Sequence, residues 1–126
     1  VVTYGKRKSD IDYRTQDNSF FEPPISVWTP AIAPSGIVFY TGAAFPDWEN
    51  NLFVAALAGR HLRRLEVENH RVTEQQVLLP EINERIRDVA VGPNGALYVL
   101  TDSLRGRVLK IGPTGKDPIC AFAAPL

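Results

Sequence analysis

This chain repeats itself. AIAPSG at 31–36 returns as VAVGPNG at 89–95, NLFVAAL at 51–57 as ALYVLTD at 96–102, and GRHLRRLEV at 59–67 as GRVLKIG at 106–112. Each copy reads turn, strand, turn, strand, and the copies differ mainly by an insertion at 37–50. A period of roughly 45 to 60 residues built of three or four short strands is the signature of a β-propeller blade. The expected fold is therefore all-β, about two propeller blades. Residues 1–25 would be an end strand and connecting loop, 26–80 one blade, and 81–126 a final, incomplete blade. In closed propellers the missing outer strand of a last blade is often supplied by the other terminus, so the chain is expected to be the last part of something larger.

Composition agrees with the repeat. Ten Pro and nine Gly among short runs of Val, Ile, Leu, Phe and Tyr favour many strands and turns with almost no helix. Strands are expected at 37–40, 52–57, 62–67, 72–79, 87–91, 97–101 and 108–111. A further strand pattern occurs at 25–28, a turn at 34–36, the end of a strand at 1–4 and a polar, solvated connection at 5–24. The run at 52–57 is apolar throughout, which fits a strand covered on both faces. Residues 64–68 alternate polar and apolar, and Asn69-His70 suits a two-residue turn with positive φ, so 62–79 reads as a hairpin with one wet face. Trp48, in FPDWEN, reads as a loop anchor in the blade core.

Charge sits inside this apolar pattern in NERIRDVAVGPNG at 83–95. In an extended strand Arg85 and Arg87, two apart, would share a face with Val89 and Val91, leaving Ile86 and Ala90 on the other. Both faces are then largely apolar, which implies burial on two sides. A buried guanidinium needs a partner, because leaving it desolvated and unpaired costs on the order of several kcal/mol. The partner would be a local carboxylate, with Asp88, Glu84 and Glu81 the nearest in sequence, or an anionic ligand.

Other classes find little support. Fourteen basic and fourteen acidic residues cancel, and Arg60, Arg63, Arg64 and Arg71 are interleaved with Glu66, Glu68 and Glu74, so a nucleic-acid partner is not expected. Cys120 is the single cysteine and can form no internal disulfide. No stretch approaches the ~20 apolar residues that span a bilayer, and no signal-like amino terminus is present. The chain begins at Val1 and has no methionine, so a processed, trimmed or fragmentary polypeptide is expected. His61 at a strand entry and His70 in a turn have no neighbours at metal-ligand or triad spacing and read as structural.

The segments WTPAIAPSGIVFYTGAAFPDWENNLFVAALAGRHLRRL, ERIRDVAVGPNGALYVLTD and GRVLKI resemble, in order and spacing, the carboxy-terminal part of the soluble glucose/sorbosone dehydrogenase family. That family consists of six-bladed propeller enzymes that use pyrroloquinoline quinone (PQQ), and the most similar group is the aldose sugar dehydrogenases. Residues 1–5 resemble the stretch just after the family's NYGWP segment. The resemblance implies oxidation of an aldose at its anomeric carbon, a periplasmic or secreted location, and PQQ and Ca²⁺ as cofactors. It further implies that Arg85 and Arg87 hold PQQ carboxylates and that Trp28 lies near the cofactor and sugar. Trp28 reads equally well as an ordinary core aromatic. Ala58 departs from the pattern, since the family often has a Lys there pointing at the cofactor; Arg60, two residues on, is a fork rather than a point charge. The catalytic His and the Ca²⁺ ligands of the family have no matching positions in this sequence.

Two classes of function remain in view. In the first, the chain supplies one wall of a cofactor pocket and is silent on its own. In the second it is a binding or structural module whose arginines pair with carboxylates of a neighbouring blade and which holds no cofactor. In both, two open flanks imply association with upstream blades or self-association.

Overall fold

The computed structural model describes residues 22–113 and the backbone of the strand at 121–125. The expectations for 1–4 and most of 5–24 lie outside those residues. The eight strands are β1 Pro34–Phe39, β2 Leu52–Ala56, β3 His61–Glu68, β4 Arg71–Leu78, β5 Ile86–Val91, β6 Leu97–Thr101, β7 Val108–Pro113 and β8 Ala121–Pro125. They form two antiparallel four-stranded sheets in sequence order, β1-β2-β3-β4 and β5-β6-β7-β8. This is the meander of a propeller blade, made twice. The helical turns among the described residues are two short 3-10 segments, Pro46–Trp48 and Pro80–Ile82. The second sheet is not left short: the carboxy-terminal tail itself pairs with β7 as β8, with Ile111 opposite Ala123.

Several local expectations changed. Residues 25–28 form no strand, and 34–36 are not a turn but the start of β1. The repeat is therefore displaced in its first piece, because β1 begins within APSG in one copy whereas β5 ends before GPNG in the other. The hairpin between β3 and β4 turns as expected, with Asn69 (φ 48) and His70 (φ 62) both left-handed. Its expected wet face is partly dry, because Arg64 is only 9% exposed.

The two sheets pack through their first strands. Ser35 on β1 donates from its hydroxyl to the Ile86 carbonyl of β5 at 2.7 Å, with the Ala55 carbonyl at 3.2 Å. Gly36 is required there: a Cβ would sit 2.2 Å from Asp88 Oδ1 and 2.8 Å from Asp88 Cα. Between the sheets lies one core. Tyr40, Phe45, Trp48, Phe53, Ala55, Leu62, Leu78 and Leu79 come from the first sheet and its loops; Ile86, Val89, Leu97, Val99, Leu109 and Ile111 come from the second. Trp48 anchors the insertion as expected, stacked on Phe45 at 4.2 Å and tilted against Phe53 at 5.5 Å. As the apolar run predicts, β2 is covered on both faces: Phe53 and Ala55 join the core, and Val54 and Ala56 are buried on the other side.

Candidate functional site

The candidate site is the entry to β5. Here the strand register departs from simple alternation: Ile86 pairs with Thr101 and Asp88 with Leu100, so Arg87 is an extra residue, a β-bulge. The bulge inverts the face count beyond it. Ile86, Val89 and Val91 turn toward the core, while Arg87, Asp88 and Ala90 are exposed. Arg85, just before β5, and Arg87 are therefore not buried; their side chains are 49% and 50% exposed.

Their partner is Asp102, which the sequence reading missed. Asp102 Oδ2 accepts from Arg85 Nε at 2.9 Å and lies 3.1 Å from Arg87 Nη2. Its backbone N–H donates to the Arg85 carbonyl at 2.7 Å, which continues the β5–β6 ladder by one step and fixes where the carboxylate stands. The hydrogen bond from Arg85, then that from Arg87, holds the Asp102 carboxyl below its ordinary pKa, because both favour the ionised form. Counting outward from the Gly92–Gly95 turn along the two strands places Asp102 opposite Ile86; the bulge at Arg87 shifts the register by one and brings Asp102 opposite Arg85. The nearer acids have other roles: Glu84 pairs with Arg107, and Asp88 Oδ1 accepts from its neighbour Val89 N–H at 2.9 Å.

Arg60 lies at the same end of the molecule. It sits in the β2–β3 turn with φ 52, and its Nη1 is 3.5 Å from Asn83 Oδ1, two residues before Arg85. Asn83 (φ 46) and Leu79 (φ 57) are also left-handed, so the connection from β4 to β5 carries backbone strain of the kind that collects at binding sites. Arg85 and Arg87 thus meet at Asp102, and Arg60 reaches the segment that leads into β5 through Asn83. Ala58, exposed in the same turn, donates its backbone N–H to the Ile32 carbonyl at 3.0 Å.

Trp28 is elsewhere. Its indole N–H donates to Gln75 Oε1 at 3.0 Å, and the Arg63 guanidinium stands 5.6 Å over its ring. Arg63 is in register with Val54 and Val77, the face of the first sheet opposite Phe53 and Arg64. The structure brings Arg85 and Arg87 together and leaves Trp28 on that other face.

Among the described residues the buried arginine is Arg64. Its Nε donates to Gln76 Oε1 at 3.0 Å, Nη2 to Glu74 Oε1 at 3.0 Å, and Nη1 to Asn51 Oδ1, with its carbon 5.9 Å over Trp48. Each of the three nitrogens has an acceptor, which is what makes its burial tolerable. His61 is also buried. Nδ1 donates to the Gly59 carbonyl at 2.7 Å, leaving Nε2 without a partner among the described residues. Burial pushes its pKa down, the Gly59 bond opposes the shift, and Arg63 adds to it.

An all-β chain of propeller-type blades with a convergent arginine rim has well-defined relatives. Residues 1–110 match the family described as glucose/sorbosone dehydrogenase. The aldose sugar dehydrogenase YliI of Escherichia coli is 41% identical over 92 residues, which is 73% of this chain and 25% of that protein. An uncharacterised Synechocystis protein, slr1608, is 40% identical over 89 residues, 70% of this chain and 21% of its own length. Among solved structures, the apo form of the soluble E. coli aldose sugar dehydrogenase superposes with a TM-score of 0.76 at 36% identity, covering 86% of this chain and 32% of that one. A glucose dehydrogenase superposes with a TM-score of 0.71 at 42% identity, covering 77% and 30%. The chain belongs to the glucose/sorbosone dehydrogenase family. It spans about a quarter of the length of the curated relatives it matches.

Proposed function

We propose that this chain forms the carboxylate-binding wall of a PQQ-dependent enzyme that oxidises aldoses at the anomeric carbon. The observation that carries this is the arginine pair. Two half-exposed guanidinium groups are bonded to one carboxylate oxygen, and Arg85 Nη1 and Nη2 and Arg87 Nε and Nη1 have no partner among the described residues. Planar donor forks of this kind suit the carboxylates of PQQ, and the donor set fits the group. When bound, PQQ supplies the acceptor for a hydride from the sugar. The residues of this chain bind and orient: Arg85 and Arg87 fix one edge of the ring system, and Arg60 adds positive charge near it, whereas Trp28, on the other face of the first sheet, takes no part in this reading. The same reading carries a periplasmic or secreted location with it.

Calcium is a different case. Among the described residues no group of three or more His, Cys, Asp or Glu gathers to hold a metal ion. The Ca²⁺ implied by the family resemblance is therefore given no ligands among the described residues.

A second reading, blades that hold no cofactor, is favoured by the fact that Asp102 already gives the arginines a carboxylate. The two readings separate on PQQ retention. Quinone absorbance that survives desalting, and that Arg87→Ala weakens by about 1.5 to 3 kcal/mol while Arg63→Ala leaves it unchanged, supports the first. No retention, or equal effects of the two substitutions, leaves the second.

A further inference from the structure

We infer that Asp102 is the positioning residue of this rim: its one bridging oxygen gathers Arg85 and Arg87 into a single receptor and sets the spacing of the two carboxylates that a ligand must present. The inference rests on the reading of the arginine pair as a carboxylate receptor. Two guanidinium groups on neighbouring, half-exposed side chains repel each other and, unrestrained, sample many rotamers. Here Arg85 Nε and Arg87 Nη2 lie 2.9 and 3.1 Å from the same atom, Asp102 Oδ2, so they stand no more than about 6 Å apart. The bulge at Arg87 allows this, because it shifts the register by one residue and so brings Asp102 opposite Arg85 instead of Ile86.

Asp102 is itself held from the backbone side. Its N–H is bonded to the Arg85 carbonyl at 2.7 Å, and the preceding Thr101 is locked to β7, with its backbone N–H on the Arg107 carbonyl and its hydroxyl taking the Arg107 N–H, both at 2.9 Å. The carboxylate therefore stands at a fixed place and the arginines come to it. Such an arrangement selects ligands that carry two carboxylates close together on one rigid planar ring, and discriminates against single carboxylates. The ordering of both side chains is complete before the ligand arrives, which is where preorganised sites gain affinity.

Positioning and plain electrostatics predict opposite signs. Removing the negative charge of Asp102 leaves the rim more positive, so charge alone would tighten binding of an anion. Positioning requires that binding weaken. The test titrates the full chain and its Asp102→Asn, Asp102→Glu and Arg87→Ala variants with PQQ, with benzene-1,3-dicarboxylate and with benzoate by calorimetry, and follows the Arg85 Nε–H resonance by NMR. We expect Asp102→Asn to remain folded, to lose at least tenfold in affinity for both multi-carboxylate probes, to change little toward benzoate, and to shift the Arg85 Nε–H resonance. Asp102→Glu should recover part of the affinity. Unchanged or tighter binding by Asp102→Asn overturns the inference, as does an unmoved Arg85 Nε–H resonance whatever binds. Equal PQQ binding by wild type and Arg87→Ala overturns instead the cofactor reading, and the dicarboxylate and NMR arms still decide the role of Asp102.

Discussion

The Tyr40 hydroxyl donates to the carbonyl of Gly95 at 2.7 Å, joining the end of the first sheet's inner strand to the first turn of the second sheet across 55 positions of sequence. The same oxygen accepts the Phe45 N–H at 3.0 Å, and Tyr40 is fully buried. Tyr40→Phe keeps the ring but strands a buried donor and a buried acceptor. We expect a loss of about 2 kcal/mol, within the range for unsatisfied buried groups, measured by denaturant unfolding. Wild-type stability would mean that water replaces the hydroxyl.

Gly36→Ala places a methyl 2.2 Å from Asp88 Oδ1 and against the β5 backbone. Because the obstacle includes main chain at 2.8 Å, the sheets must separate locally. A loss of about 1 to 3 kcal/mol is expected, the usual scale of overpacking. Gly112→Ala, whose Cβ would meet nothing within 4 Å among the described residues, serves as the control.

Arg64→Leu removes a cation that three polar side chains and Trp48 enclose. Asn51 Oδ1 then loses its donor, and a loss of about 1 to 3 kcal/mol is expected. Glu74 is 59% exposed and regains water, which keeps the cost below that of breaking a fully buried pair. Arg63→Ala, which loses the contact with Trp28, should cost less than about 1 kcal/mol.

The buried His61 makes stability depend on pH in a defined direction. Its folded pKa lies below the unfolded value, so the folded state binds fewer protons. Its contribution is complete above about pH 6.5, the ordinary histidine value, and is lost as pH falls from there through the folded pKa. Asp102 acts the same way in a separate, more acidic window, below the ordinary aspartate value of about 3.9. Unfolding curves of His61→Gln should lose the first dependence and keep the second.

The outward face of the first sheet carries Ile37, Phe39 and Val77, all exposed and brought to one side by register. The second sheet's outer face carries Leu100 opposite Val108. Apolar faces of this kind associate. Light scattering should show the isolated chain self-associating, with a trimer the simplest closed arrangement, and Phe39→Glu should reduce association at little cost to stability. A wild-type monomer at high concentration would contradict this.

Much of the architecture was legible because strands and turns are written locally. The apolar run of β2, the Asn69-His70 turn and the repeat order each depend on residues within a few positions of one another. Trp48 was legible as a core anchor for a related reason: a large aromatic in a loop flanked by Phe45 and Pro46 has few other uses. The arginines were legible as chemistry and not as geometry. Arg85 and Arg87 stood out because a cation in an apolar strand needs a partner, but period-two counting put them inside, and one bulged residue put them on the rim.

The order of the strands, the class of fold and the residue types that can bind a carboxylate were all set by the amino-acid sequence. Which arginine is buried was settled only by packing, since Arg64 became the enclosed cation once Asn51, Glu74, Gln76 and Trp48 closed around it. Packing also settled that Asp102, and not the nearer Glu81, Glu84 or Asp88, meets the pair. The physical reason is the same in both cases. Hydrophobic periodicity acts along the chain, whereas the partner of a charge is set by distance in space, and antiparallel pairing brings the end of one strand to the start of another.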